Sequence, residues 1–117
     1  MNIREFYNEI GSDYREVEKR FGAEALVVRF VSKFTGDPTY AQLEAAFAAG
    51  DQAGAFRAAH TLKGVSSNLG FGKLWQTSSD LTEYLRPGNA PEGGKALFEK
   101  VKGEYAAVMQ ALKKLDI

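Results

Sequence analysis

The chain has 117 residues, 44% of them apolar and 12% aromatic, enough to bury one core and too few for two. Fifteen basic residues offset fifteen acidic ones, so the positive surplus that binds duplex nucleic acid or an anionic membrane surface is missing. There is no cysteine and one histidine, which removes disulfides, thiolate zinc sites and cysteine nucleophiles and leaves little for a metal centre or a catalytic triad. The start, Met-Asn-Ile-Arg-Glu-Phe, lacks an apolar signal core, and charges break every hydrophobic run short of a membrane span. A cytoplasmic protein with no membrane or nucleic-acid partner is the expectation.

Two short helical patterns open the chain, near Asn2 to Ile10 and Asp13 to Arg20, with Tyr14, Val17 and Phe21 placed to cover one end of whatever follows. Leu26, Val27, Phe30, Val31 and Phe34 then recur as a buried helical stripe does, until Thr35-Gly36-Asp37-Pro38 stops it. Asp37 reads as an N-cap with Pro38 at the first helical position of a helix from about Thr39 to Ala49, which carries Leu43 and Phe47 and ends at Gly50. Asp51 offers the next N-cap, for a long helix to about Leu69 closed by Gly70. Phe71-Gly72 is a tight joint to a helix from about Lys73 to Leu85 with Leu74, Leu81 and Leu85 as its stripe. After the breaker Arg86-Pro87-Gly88-Asn89, a last helix runs from about Pro91 to Lys114, its seam formed by Leu97, Val101, Val108, Leu112 and Leu115 and its first turn weakened by Gly93 and Gly94. Trp75, Phe30, Phe34 and Phe47 are assigned to the core.

No strand pattern or repeat appears, and short connections make successive helices antiparallel neighbours. The expectation is an all-α, antiparallel up-and-down four-helix bundle over residues 23–115, with residues 1–21 forming one or two additional short N-terminal helices as a cap, all in a single domain.

The helix from Asp51 to Leu69 holds the only histidine. At about 100° per residue, Ala55, Ala58, Ala59, Val65, Ser66 and Leu69 fall on the same side as Leu62, and His60 falls about 160° away. The imidazole is therefore expected to face solvent from the middle of a helix. Phe56, Arg57, Lys63, Gly64 and Ser67 share that outer face. A glycine inside a helix costs about 1 kcal/mol relative to alanine, and nothing in bundle packing asks for one on an exposed face. It leaves space beside the imidazole for a bulky group or for another protein's backbone. Phe56 adds apolar area that either a partner or the N-terminal helices would cover. An imidazole in water titrates near about 6.5 and, when neutral, is a good nucleophile that accepts a phosphoryl group without a neighbouring base. Lys63 lies one turn on, where it can meet the anion.

His60-Thr61-Leu62-Lys63-Gly64, followed by five residues and Gly70, resembles the signature of histidine-containing phosphotransfer (HPt) domains, His-x-Leu-Lys-Gly-(five residues)-Gly. Arg57-Ala58-Ala59, the Gly70-Phe71 joint and Lys73-Leu74 are similar to the same family, so the likeness covers about Asp51 to Leu85 closely and the rest only in architecture. The resemblance implies a four-helix bundle without autonomous kinase activity. Such a protein takes a phosphoryl group from a receiver-domain aspartate and passes it to another response-regulator receiver. His60 would be phosphorylated, Lys63 would assist the charge and Gly64 would permit close approach. Phe56, Arg57 and Ser67 are docking candidates, and the wheel sets Ser67 to hydrogen-bond the imidazole or phosphoryl group from the next turn. Partners implied are receiver domains and a hybrid sensor histidine kinase. The chain would carry no cofactor, magnesium being expected on the partner receiver, and would be a monomer. Three other readings stand beside this one: a non-catalytic helical protein-binding module, the phosphotransfer fragment of a larger sensor or chemotaxis kinase, and a metal-binding bundle, which a single histidine disfavours.

Overall fold

Polar caps and glycines set the helix ends. In the computed structural model, which describes residues 1–116, the Asn2 side chain accepts the Glu5 backbone N–H at 2.9 Å while the Glu5 carboxylate accepts that of Asn2 at 2.9 Å. This capping box starts α1, Ile3–Glu9. The Asp13 side chain accepts the Arg15 N–H at 3.0 Å and heads α2, Tyr14–Phe21. Helix α3, Glu24–Lys33, runs into one 3-10 turn, Phe34–Gly36. Asp37 accepts the Thr39 N–H at 2.8 Å at the head of α4, Thr39–Ala49, with Pro38 immediately before the first helical residue. The Asp51 side chain accepts the Gly54 N–H at 3.0 Å and opens α5, Gln52–Leu69. Helix α6 spans Gly72–Leu85 and α7 spans Lys95–Lys113.

The last helix starts later than its sequence suggests. Pro91–Gly94 forms a separate 3-10 turn before α7. Tyr84 explains this turn. Its hydroxyl donates to the Ala90 carbonyl at 2.9 Å, its own carbonyl accepts the Asn89 side-chain amide at 2.7 Å, and its ring lies where a Cβ on Gly94 would be, 2.8 Å from Cε2. Gly93 and Gly94 are thus the residues that let the chain pass over α6.

Helices α4 to α7 are successive neighbours. Helix α5 makes its most extensive contacts with α6 and α4, and α6 packs in turn on α7. Stacked aromatics close the ring of helices between α4 and α7: Tyr40 on Tyr105 with centroids 4.0 Å apart, and Phe47 on Phe98 at 4.6 Å. The pairing runs in opposite order along the two helices, so they are antiparallel, as an up-and-down bundle requires. Leu43, Leu62, Leu74, Leu81, Leu85 and Val101 are fully buried at its centre. Among the described residues there is no strand, and no helix is long and apolar enough to cross a membrane.

The N-terminal helices close one end. Phe6, Tyr7 and Phe34 pack round Phe71 in the α5–α6 joint, with edge-on contacts of 5.9 Å from Phe6 and 5.3 Å from Phe34. Val17 occupies the position a side chain on Gly70 would need, and Gly70 itself is left-handed at φ +74°. Glycine is therefore required there twice over. Tyr14 and Val17 are buried and Phe21 is half-buried, in keeping with a cap.

Three residues assigned to the core lie outside it. Leu26 and Phe30 on α3 are 37% and 39% exposed, and Trp75 on α6 is 37% exposed. Helix α3 fully buries Val27 and Val31 alone, with Phe34 buried in the turn that follows, so Leu26 and Phe30 on the flanks of its apolar stripe remain at the surface. There Phe21 stacks on Phe30 at 5.0 Å and the Lys33 ammonium sits 5.3 Å from the Phe30 ring.

The Tyr7 hydroxyl donates to the Leu69 carbonyl at 2.5 Å, a group in the last turn of α5 with no partner inside its helix. Burial pushes the Tyr7 phenol far above its ordinary pKa of 10.0, so it remains a donor throughout the working range. Tyr7→Phe should cost about 1–3 kcal/mol by stranding that carbonyl, read as a lower urea midpoint at unchanged slope. An unchanged midpoint would show that water replaces the phenol.

Candidate functional site

The site is a matter of which side of α5 is left bare. Ala55, Ala58, Ala59, Leu62, Ser66 and Leu69 are buried, and Val65 is half-buried at the edge of that face. Small residues there let α4 and α6 approach closely. On the opposite side His60, Gly64 and Ser67 are exposed, and Phe56 and Lys63 are half-buried. His60 thus stands in the middle of an 18-residue helix, fixed by the packing behind it and open in front.

Both ends of that helix are tied to its neighbours. At its start, the Gln52 side-chain amide donates to the Leu85 carbonyl at 2.6 Å, closing the last turn of α6. At its end, besides Tyr7, the Arg20 guanidinium donates to the carbonyls of Ser67 at 2.8 Å and Asn68 at 2.6 Å. A cation on the C-terminal carbonyls also suits the helix dipole.

Phe56 lies beside His60. The two rings are nearly parallel, 22° apart, with centroids 6.0 Å apart. Phe56 is not shown tucked against the N-terminal helices: its ring sits between the imidazole and Arg86 at the C-terminal end of α6, whose guanidinium carbon is 5.4 Å from the ring centre. Gly64 is a regular helical residue. Leaving aside chain neighbours and the helix's own backbone, no described atom lies within 4 Å of a Cβ built there. The fold therefore does not need this glycine.

Arg57 diverges from the group. It lines a groove between α4 and α5 with Gln42, Ala45, Ala58 and Thr61, while the Thr61 hydroxyl donates back to the Arg57 carbonyl at 3.0 Å. Ser67 is seven residues beyond His60, about 10 Å along the axis. It borders a shallow depression of about 290 Å³ with Ser66, Gly70, Gly72 and Trp75. The exposed indole thus belongs to the surface running on from the histidine face.

Two residues that the sequence reading did not single out complete the surroundings. Glu83 and Arg86, on α6 and its C-terminal end, form a paired contact: Arg86 Nε donates to Glu83 Oε2 at 3.0 Å and Nη2 to Oε1 at 3.1 Å. Those hydrogen bonds, helped by the charges of Arg86, Lys63 and His60, hold the Glu83 carboxyl below the usual carboxylate range against the opposing effect of desolvation. Spacing alone marks Glu83 and Arg86 as an i, i+3 pair; only the packing of α6 on α5 brings them to the histidine. Among the described residues no three His, Cys, Asp or Glu side chains are grouped to hold a metal ion.

An exposed imidazole on a fixed helix, flanked by a cation and an unobstructed glycine, can receive a group brought by another macromolecule. No curated protein and no solved structure matches the chain in comparisons with known proteins. The family model of the Hpt domain does match, over residues 35–114, which spans α4 to α7 and includes His60. Members of that family are phosphotransfer intermediates of phosphorelay signalling that work with receiver domains and hybrid kinases, and this chain belongs to the Hpt domain family.

Proposed function

We propose that His60 is the phosphoryl-accepting residue of a phosphorelay intermediate, loaded from the phospho-aspartate of one receiver domain and discharged to the aspartate of another. The observation that carries this reading is the exposed imidazole on the bare side of α5, next to a glycine that its own fold does not require. A ring nitrogen lone pair attacks phosphorus, a P–N bond forms, and the P–O bond to the aspartate breaks with its electron pair leaving on the carboxylate. The proton on the other ring nitrogen stays until solvent takes it. The return step reverses these bonds on the second receiver, which brings its own acidic pocket and magnesium ion.

Lys63 offers the dianionic group a nearby ammonium, a modest aid at a solvated surface. Gly64 gives the receiver's backbone room to approach. Phe56 and Ser67 lie on the same face and serve docking, Ser67 together with the depression at Trp75. Arg57, turned toward α4, serves as a flanking contact.

His60→Gln should abolish phosphoryl acceptance while leaving circular dichroism and thermal midpoint within the range of surface substitutions. The wild-type label should be lost in acid and retained in base, as a phosphoramidate is. ATP alone should give no label, and ATP with a kinase and receiver should. An acid-stable label, or one that survives in His60→Gln, would move the chemistry elsewhere. Failure to accept phosphate from every receiver tried would leave a binding module.

Gly64→Gln separates fold from partner. The variant should be as stable as wild type or up to about 1 kcal/mol more so, because glycine is the poorer helix former. Transfer from a receiver should nevertheless slow at least tenfold. Unchanged transfer with an earlier melt would make Gly64 a packing residue instead.

A further inference from the structure

Glu83 and Arg86 hold no part of the core: their side chains are 55% and 49% exposed. An exposed i, i+3 ion pair contributes little to stability. Yet this pair is built into the histidine face. The guanidinium lies against the Phe56 ring at 5.4 Å, and Phe56 lies against the imidazole at 6.0 Å, so that Arg86, Phe56 and His60 form a row across the α5–α6 boundary. The Glu83 carboxylate takes two guanidinium donors at 3.0 and 3.1 Å and thereby fixes where that cation rests. A full negative and a full positive charge are thus held at the end of α6, on the far side of Phe56 from the ring on which the previous section places a phosphoryl group.

We propose that Glu83 and Arg86 are positioning residues that set how firmly His60 holds its phosphoryl group, an inference that rests on reading His60 as the acceptor. With the ring bare, Glu83 occupies Arg86 and the pair is close to neutral. Once the ring carries a dianion, Arg86 has a more highly charged acceptor on the same face. The planar guanidinium can turn toward it while keeping contact with Phe56. Glu83 opposes the phosphoryl charge and Arg86 favours it, so the pair keeps the group from being either trapped or shed. An intermediate that must pass its load onward needs that balance.

The test uses the whole chain, phosphorylated with phosphoramidate, which transfers its phosphoryl group to the ring as ammonia leaves. Loss of phosphohistidine is followed by phosphorus NMR: the P–N bond breaks, a water oxygen joins phosphorus, and the ring nitrogen recovers its lone pair. Glu83→Gln should lengthen the lifetime and Arg86→Gln should shorten it, each by about two- to fivefold at low salt, the range an exposed charge contact spans. Arg86→Lys should restore most of the wild-type lifetime, and the double variant should return near it. The equilibrium share of phosphate on His60 against a receiver aspartate should move the same way. All shifts should shrink in about 1 M salt, where the screening length is about 3 Å.

Equal lifetimes in every variant, or shifts that salt does not reduce, would overturn the inference while leaving the acceptor role of His60 intact. A wild type that behaves like His60→Gln and takes no label would overturn both.

Discussion

The last carbonyls of an α-helix have no partners within it, and at the end of α5 the N-terminal segment joins the backbone of Gly70 and Phe71 in providing them. Tyr7 donates to the carbonyl of Leu69, Arg20 donates to those of Ser67 and Asn68, and Val17 fills the space that a side chain on Gly70 would need. Gln52 makes the complementary tie at the other end, to α6. With both ends fixed, the middle of α5 can remain uncovered on one side without fraying. Helices α1 and α2, outside the family match, thus brace the helix that bears His60.

Burial on one side and exposure on the other also decide what the histidine can do. A side chain on a packed helix is held in place before a partner arrives, so little conformational freedom is lost on docking. Ala55, Ala58, Ala59 and Ser66 let the flanking helices come close behind it, while nothing from the fold stands in front at Gly64. The result is an exposed imidazole on a firmly packed helix. Such a surface suits the docking that the proposed role requires.

Solvent sets the strength of everything around His60. Lys63, Glu83 and Arg86 act across water, where single contacts are weak and salt-sensitive. Chemistry that passes a group from one protein to the next tolerates this weakness, since the receiving partner supplies the stronger field in each direction. In the proposed relay, tight binding of the phosphoryl group to His60 would stop transfer at this point.

The boundaries of α4, α5 and α6, the caps at Asp37 and Asp51, the glycine stops at Gly50 and Gly70, and the outward direction of His60 were all legible in the amino-acid order. Each rests on chain-local physics: an acceptor beside unpaired N–H groups, a left-handed glycine, and a periodicity of about 100° per residue. The signature at His60 also lies within one helix and its cap. What lay beyond the sequence depended on neighbours distant in the chain. Leu26, Phe30 and Trp75 are apolar at helical spacing, but spacing does not say how wide an arc the next helix covers, and α3 fully buries Val27 and Val31 alone. The late start of α7 follows from Tyr84 lying over Gly94. Glu83 and Arg86 reach the histidine face only because α6 packs on α5 in one register, and Phe56 turns to them for the same reason. The sequence by itself determined where α4, α5 and α6 run and which side of α5 carries His60; the tertiary structure decided what surrounds that residue, because long-range packing, unlike periodicity and capping, is a property of two segments at once.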